Sequence, residues 1–247
     1  MNIFSLFKRN IIYKFKKKIS IDDNSLIEKS LDELFHLFGS DKSDIFKGTD
    51  AKGHGYSRFY LNQLSHLKNN QINILEIGSY AGASAAAFAK FFPNANIFCF
   101  DVNISNFKYE SKKISVYGVD INNNKKIKKI LNKIFEEKNF NSFDLIIDDG
   151  SHNLSDILFS FNFFFHYLKK KGIFVIEDFR HPNYYQYNRN ISHILVDEFL
   201  KNLENKIFFD SSIIDKKDQK QLMNLIEKIN IYKGNLKDSD ICFIKKN

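Results

Sequence analysis

From residue 72 onward the apolar positions of this chain alternate between two textures. Short continuous runs cover Ile72 to Ile77, Asn96 to Asp101, Ile114 to Val119, Phe143 to Asp149 and Gly172 to Asp178. Between them lie stretches with helical spacing: the Ala-rich Ala81 to Phe92, stopped by Pro93, a Lys-rich stretch up to about Lys138, and the Phe-rich Leu154 to Lys170. Short apolar runs bounded by turn residues predict strands, and a period of 3.6 predicts helices. Their strict alternation predicts a parallel sheet with helices on both faces. Runs such as Ile173-Phe174-Val175-Ile176 fit strands covered on both sides. Ile191 to Asn205 reads as another helix. Ile229 to Tyr232 and Ile241 to Lys245 read as a closing pair of strands turning through Gly234 to Asp240.

The first seventy residues read as helices and loops. Leu26, Ile27, Leu31, Leu34, Phe35 and Phe38 give Ser25 to Phe38 helical spacing, a Gly-, Asp-, Ser- and Lys-rich loop spans Gly39 to Gly55, and Tyr56 to Leu67 is helical again. The expected fold is α/β: a mostly parallel seven-stranded sheet with a C-terminal β-hairpin over residues 71–247, preceded by a helical segment, 1–70, that serves as a cap or an oligomer contact.

A glycine turn joins the first strand of the sheet to its helix, in Asn73-Ile74-Leu75-Glu76-Ile77-Gly78-Ser79-Tyr80-Ala81-Gly82-Ala83-Ser84. Glycine lets a ligand approach the backbone closely, and the helix behind it offers free N–H groups. A dinucleotide fingerprint needs G-x-G-x-x-G. Here Tyr80 stands where the second glycine would be, and the charge of Glu76 opposes a phosphate. Asp101 and Asp120 fall at the ends of the next two strands, the edge where open α/β sheets bind ligands.

Strand four ends in Asp148-Asp149, with His152 just beyond, and strand five ends in Glu177-Asp178. These ends share one edge of a doubly wound sheet, and clustered carboxylates repel unless protonated or bound to a cation. Oxygen ligands with open positions suit a hard ion such as Mg2+. Neighbouring strand residues point to opposite faces, so Asp149 is a better ligand candidate than Asp148. An imidazole at His152, beside a metal-bound hydroxyl, suits a general base.

The acidic-x-Gly-x-x-x-Gly turn resembles the first motif of class I S-adenosylmethionine-dependent methyltransferases. The run from Phe38 to Asp178 resembles, within that class, the metal-dependent O-methyltransferases of macrolide sugars and their bacterial relatives. The matching pieces are Phe38-Gly39-Ser40-Asp41-Lys42, His54-Gly55-Tyr56 with Tyr60, Ile74 to Gly78, Ile146 to His152, and Val175-Ile176-Glu177-Asp178. The resemblance implies a Rossmann-like methyltransferase fold ending in a hairpin. It implies S-adenosyl-L-methionine held by Glu76, Gly78, Ser79, Tyr80, Gly82, Ser84, Asp101, Asp120, Asp148 and Tyr56. Glu76 would face the methionine end, Asp101 the ribose and Asp120 the adenine. It implies Mg2+ on Asp149, Glu177 and Asp178, with His152 as base. One departure is an additional stretch, Ser43 to Lys52, between two pieces that are usually close. The Tyr- and Asn-rich His181 to Asn190 fits either a sugar contact or a plain surface loop. The expected activity is methyl transfer to a sugar or nucleotide-sugar-like hydroxyl, as a precursor or unit of a bacterial surface glycan. Methyl transfer to another small molecule is one alternative, and relatives labelled hydroxylases offer a second, although an oxygenase would want two histidines and one carboxylate.

Composition adds little to this. With 37 basic and 29 acidic residues the net charge is +8. The lysines lie in scattered runs without the interleaved aromatics of an RNA-binding module, so nucleic acid is not an expected partner. Cys99 and Cys242 sit in apolar runs and read as buried small hydrophobes, as in a reduced, cytoplasmic protein. No apolar run approaches the ~18 residues that span a bilayer. The basic, amphipathic residues 1–18 fit three partners equally: an anionic membrane surface, the protein's own body, or a second subunit of a homo-oligomer.

Overall fold

The computed structural model describes residues 3–23, 29–180 and 193–247. Helix α1 (Ile3–Phe15) leads through the two-residue strand β1 (Ile19–Ser20) to α2 (Leu31–Phe38) and α3 (Ser57–Leu64). There follow β2 (Asn73–Ile77), α4 (Ala83–Phe91), β3 (Asn96–Asp101), the short β4 (Tyr109–Glu110), β5 (Ile114–Gly118) and α5 (Asn124–Lys138). The chain continues with β6 (Phe143–Asp148), α6 (Leu154–Phe164), β7 (Leu168–Glu177), α7 (Val196–Glu204), α8 (Lys216–Leu225), β8 (Ile226–Lys233) and β9 (Asp240–Lys246).

Seven strands form one sheet in the order β5-β3-β2-β6-β7-β9-β8. The first five are parallel, and β9 runs antiparallel to both β7 and β8. This is the expected fold, hairpin included. The direction of the chain reverses its lateral progress between β2 and β6, so the ends of β2, β3 and β6 open a crevice at that edge.

Alternate strand residues feed two different cores. Leu75, Phe98, Ile146, Phe174 and Ile176 pack with α5, α6, α7 and α8. Ile74, Ile97, Cys99, Leu145, Ile147, Ile173 and Val175 pack with α2, α3 and α4. The N-terminal helices therefore share a core with the sheet rather than standing apart from it. Helix α2 is held at its start by a capping box, Ser30 with Glu33, and ends on Gly39 in the left-handed conformation. Six of the nine residues of helix α4 are Ala or Ser, which lets it lie close to the sheet beneath α2.

Several boundaries differ from the sequence reading. Strand β7 starts at Leu168 rather than Gly172, because the helix before it stops at Phe164 and a single 3-10 turn follows. Helix α7 starts at Val196; residues 191–192 of the helix expected there lie outside the described ones, as do residues 25–28 of the helix expected from Ser25 and the whole Tyr- and Asn-rich stretch 181–190. Helix α8 and the β1–β4 pair have no counterpart in the sequence reading. The apolar stripe of α8 is narrow, Leu222 and Met223 with Gln219, in an otherwise charged stretch. Both cysteines are free and buried, as expected.

Candidate active site

The turn after β2 is shaped by an approach of two backbones. Gly78 has a φ of 85°, and a Cβ there would lie 2.0 Å from the carbonyl oxygen of Asp149. Only glycine allows the β2 and β6 ends to meet this way. Gly78 donates to Phe100 O at 2.8 Å, and Asp149 donates to Ile77 O at 2.9 Å. Tyr80, also at positive φ, donates its backbone N–H to Asp101 Oδ2 at 2.8 Å, while Asp101 Oδ1 accepts from Asn103 N.

Two cavities adjoin at Gly78. One of about 160 Å3 lies between the ends of β2, β3, β5 and β6 and is lined by Asp101, Val102, Val119, Asp120 and Gly150 among others. The other, of about 490 Å3, is lined by Ser79, Tyr80, Ser84, Asp149, Lys42 and Tyr109 among others. A small acid-rimmed pocket opening beside a larger one fits a nucleoside with an extended substituent. The glycine cradle at the junction leaves room for that substituent to cross. On these grounds the residues present fit S-adenosylmethionine.

Most of the expected cofactor residues line these cavities: Gly78, Ser79, Tyr80, Ser84, Asp101 and Asp120. Three do not. Glu76 is fully buried behind Ser84, whose hydroxyl it accepts, on the same sheet face as Cys99. Burial pushes its carboxyl up to about 7. Asp148 points to the opposite face, accepts from Gly150 N at 3.2 Å, and is raised to about 7, again by burial. Tyr56 is fully buried and donates to Asp178 and to Asp240 O, so it supports an acid rather than a cofactor. Gly82 is the helix N-cap, seated against the Phe107 ring.

Asp149, His152 and Asp178 come together at the rim. Each offers one ligand atom, and these atoms lie within 4.8 Å of one another. His152 Nε2 is 3.8 Å from Asp149 Oδ1. His152 and Asp178 both have positive φ, at 55° and 50°, so neither follows the strand or helix beside it. Such strain gathers where structure around it over-determines a geometry.

Glu177 departs from the expected metal set. As the last residue of β7 it faces the side of Val175 and Ile173, toward the N-terminal helices. There it accepts from Tyr60 OH and from Lys42 Nζ. Lys42 is buried and reaches Asp149 Oδ2 as well, at 2.6 Å. Burial alone would lower the lysine, but the Asp149 and Glu177 carboxylates outweigh it and hold its pKa well above the ordinary value. Lys42 and Tyr60 carry no functional role in the sequence reading. They are the residues it passed over, and their only signal was membership of the Phe38–Lys42 and His54–Tyr60 pieces.

The additional stretch between those pieces loops out and returns. His54 donates to Asp41 O at 2.7 Å, Gly55 to Ser43 O at 3.1 Å and Tyr56 to Lys42 O at 2.8 Å. The two pieces are thus side by side despite the insertion. His54 Nδ1 stands 2.7 Å from Ser239 Oγ and 3.3 Å from Asp178 Oδ1, and burial lowers its pKa.

The donor set itself tests the metal. Burial first and Asp149 second push Asp178 up to about 8. Near neutral pH the cluster therefore holds a proton that a cation would displace. The two carboxylates around that point, with positions left open for water or an acceptor hydroxyl, fit a hard divalent ion beside the His152 ring, and Glu177 would join them only where Lys42 gave way.

Known proteins similar to this chain are methyltransferases. A methyltransferase domain family matches residues 75–179. The mycinamicin VI 2''-O-methyltransferase of Micromonospora griseorubida is 27% identical over 132 residues, 51% of this chain and 31% of that protein. The L-olivosyl-oleandolide 3-O-methyltransferase of Streptomyces antibioticus is 29% identical over 51% of this chain and 32% of its own. The matched region thus spans about a third of the length of these relatives. The MycE methyltransferase of mycinamycin biosynthesis, solved in complex with Mg and SAH, shares the fold with a TM-score of 0.64 at 22% identity, over 88% of this chain and 55% of that one. Residues 75–179 are thus similar to a methyltransferase domain family, and the sheet order with its closing hairpin is the Rossmann-like fold of the solved methyltransferase.

Proposed function

We propose that this protein transfers a methyl group from S-adenosylmethionine to a sugar hydroxyl, assisted by a divalent cation such as Mg2+. The observation that carries the reading is the meeting of Asp149, His152 and Asp178 beside the cavity that opens at Gly78. The cofactor would supply an electrophilic methyl group, and a hard cation would supply a positive centre that acidifies a bound hydroxyl.

The chain's own groups do the rest. Asp101 and Asp120 accept from the hydroxyls and base of a nucleoside in the smaller cavity, and Ser79 and Ser84 border its extension. Asp149 and Asp178 would hold the cation. His152 takes the acceptor's proton on its ring nitrogen. Lys42, fixed between Asp149 and Glu177, holds the Asp149 carboxylate in place by an ion pair. In-line transfer then depends on holding the acceptor oxygen in position. The larger cavity, about 490 Å3, has room for a sugar beside the cofactor's tail.

The named relatives are O-methyltransferases of mycinamicin VI and L-olivosyl-oleandolide, which supports oxygen as the accepting atom and a sugar as its carrier. We extend this to a precursor or unit of a bacterial surface glycan. One imidazole with two carboxylates differs from the two-histidine, one-carboxylate set of iron oxygenases, so the hydroxylase alternative is disfavoured.

The test is mass spectrometry of nucleotide sugars and surface glycans incubated with the protein, S-adenosylmethionine and Mg2+. A methylated sugar that disappears with EDTA supports the reading. Methylation unaffected by EDTA overturns the metal, and a methylated non-sugar overturns the acceptor.

A further inference from the structure

Helix α1 docks by one face and presents another to solvent. On the docked face Leu6 is buried and Tyr13 meets Phe107 edge-on, with ring centroids 6.2 Å apart. Arg9 donates to Val102 O, and Lys16 donates to Ser105 O and Asn106 O. The seat is close: a Cβ on Gly118 would lie 1.7 Å from Asn10 Oδ1. The position of α1 is therefore set by the body of the protein.

Phe4, Phe7, Ile11 and Phe15 fall on the opposite arc at helical spacing. Phe7 is 65% exposed and Phe15 is 81% exposed, with Ile11 and Ile12 half-exposed between them. Lys8 and Lys14 are exposed on or beside the same arc. The first eighteen residues contain six Lys and Arg and no acidic residue. Single exposed apolar side chains are ordinary, but an aromatic stripe rimmed by lysine marks an interaction surface.

We propose that the outer face of α1 binds the surface of a bilayer that contains anionic phospholipid. The phenylalanines and isoleucines enter the boundary of the acyl region, and the lysines meet head-group phosphates. Charge favours this occupant over a second copy of the chain, because two such faces would bring lysines of like sign together. Among the described residues no helix is long and apolar enough to cross a membrane. A helix of 13 residues is about 20 Å long and would lie in the plane of the interface. The proposal is independent of the methyl-transfer reading, and its test involves no activity.

The test is co-sedimentation of the full chain with vesicles of phosphatidylcholine alone, or with about a third phosphatidylglycerol. The protein is expected to sediment with the anionic vesicles, less so at high salt, and to stay in solution with phosphatidylcholine. Phe7→Ser with Phe15→Ser should weaken partitioning by about tenfold or more. Lys8→Glu with Lys14→Glu should do so on anionic vesicles while leaving the apolar stripe intact. Both pairs change exposed positions, and circular dichroism and Tm should stay those of the wild type; if either pair folds poorly, the other carries the test. Failure to sediment with anionic vesicles overturns the proposal, and so does undiminished sedimentation of a folded paired variant. A concentration-dependent dimer dissolved by the Phe7 and Phe15 changes also overturns it, and assigns the face to a second copy.

Discussion

Lys42 Nζ lies 2.6 Å from Asp149 Oδ2, joining residues 107 apart in the chain at the rim of the candidate site. The same ammonium also donates to Glu177, whose carboxyl is pushed well above the usual carboxylate range by burial. Removing it leaves carboxylates without a counter-charge. Lys42→Met, which keeps most of the volume, should therefore cost about 3 kcal/mol of stability. Added Mg2+ should raise the Tm of this variant more than that of the wild type, since a cation would take over part of the role. Thermal unfolding with and without Mg2+ checks both. A variant as stable as the wild type would show that the pair is not needed to offset buried charge.

Gly78→Ala should cost about 3 kcal/mol and weaken cofactor binding, because the new Cβ meets the Asp149 backbone, and the φ of 85° suits glycine. Chemical denaturation measures the first effect, and calorimetric titration of S-adenosylmethionine the second. Normal values for both would mean that the β2 and β6 ends can separate without loss.

Asp101→Ala removes the acceptor of Tyr80 N and Asn103 N together with a wall of the smaller cavity. Affinity for S-adenosylmethionine should fall by about 30-fold, the loss expected for one hydrogen bond to a charged group. Equal affinity of the variant would place the nucleoside elsewhere.

Glu76 gives the stability of the ligand-free protein a pH dependence. Its carboxyl is raised from 4.5 to about 7 by burial. A raised carboxylic acid contributes stability that is fully present below pH 4.5 and is lost as pH rises through about 7. Glu76→Gln stays neutral, so the stability gap between variant and wild type should shift by roughly 3 kcal/mol across that window, in favour of the variant at the alkaline end. Denaturation midpoints across the window read this directly. A gap independent of pH would mean that Glu76 is ionised when buried.

Much of this site was legible in the sequence because it is local. The strand ends carrying Asp101, Asp120, Asp149 and Asp178 follow from periodicity, and the Gly78 turn from its spacing. What the sequence reading missed is what the chain brings from afar. Lys42 and Tyr60 reach Glu177 across separations of 135 and 117 residues. The rule that adjacent strand residues face opposite ways separated Asp148 from Asp149. Applied equally to β7, it puts Glu177 on the face of Val175 and the N-terminal helices, where Lys42 and Tyr60 take up its oxygens. The same rule turns Glu76 inward beside Cys99. Asp178 escapes it only through its left-handed backbone, which no periodicity encodes.

The most direct test of the central claim is calorimetric titration of S-adenosylmethionine and of Mg2+ into the wild type and Asp149→Ala. The wild type should bind both, and the variant should keep S-adenosylmethionine while losing Mg2+. A wild-type protein that binds no S-adenosylmethionine would contradict the methyl-transfer reading. Unchanged Mg2+ binding by Asp149→Ala would contradict the assignment of the cation to the Asp149, His152 and Asp178 rim.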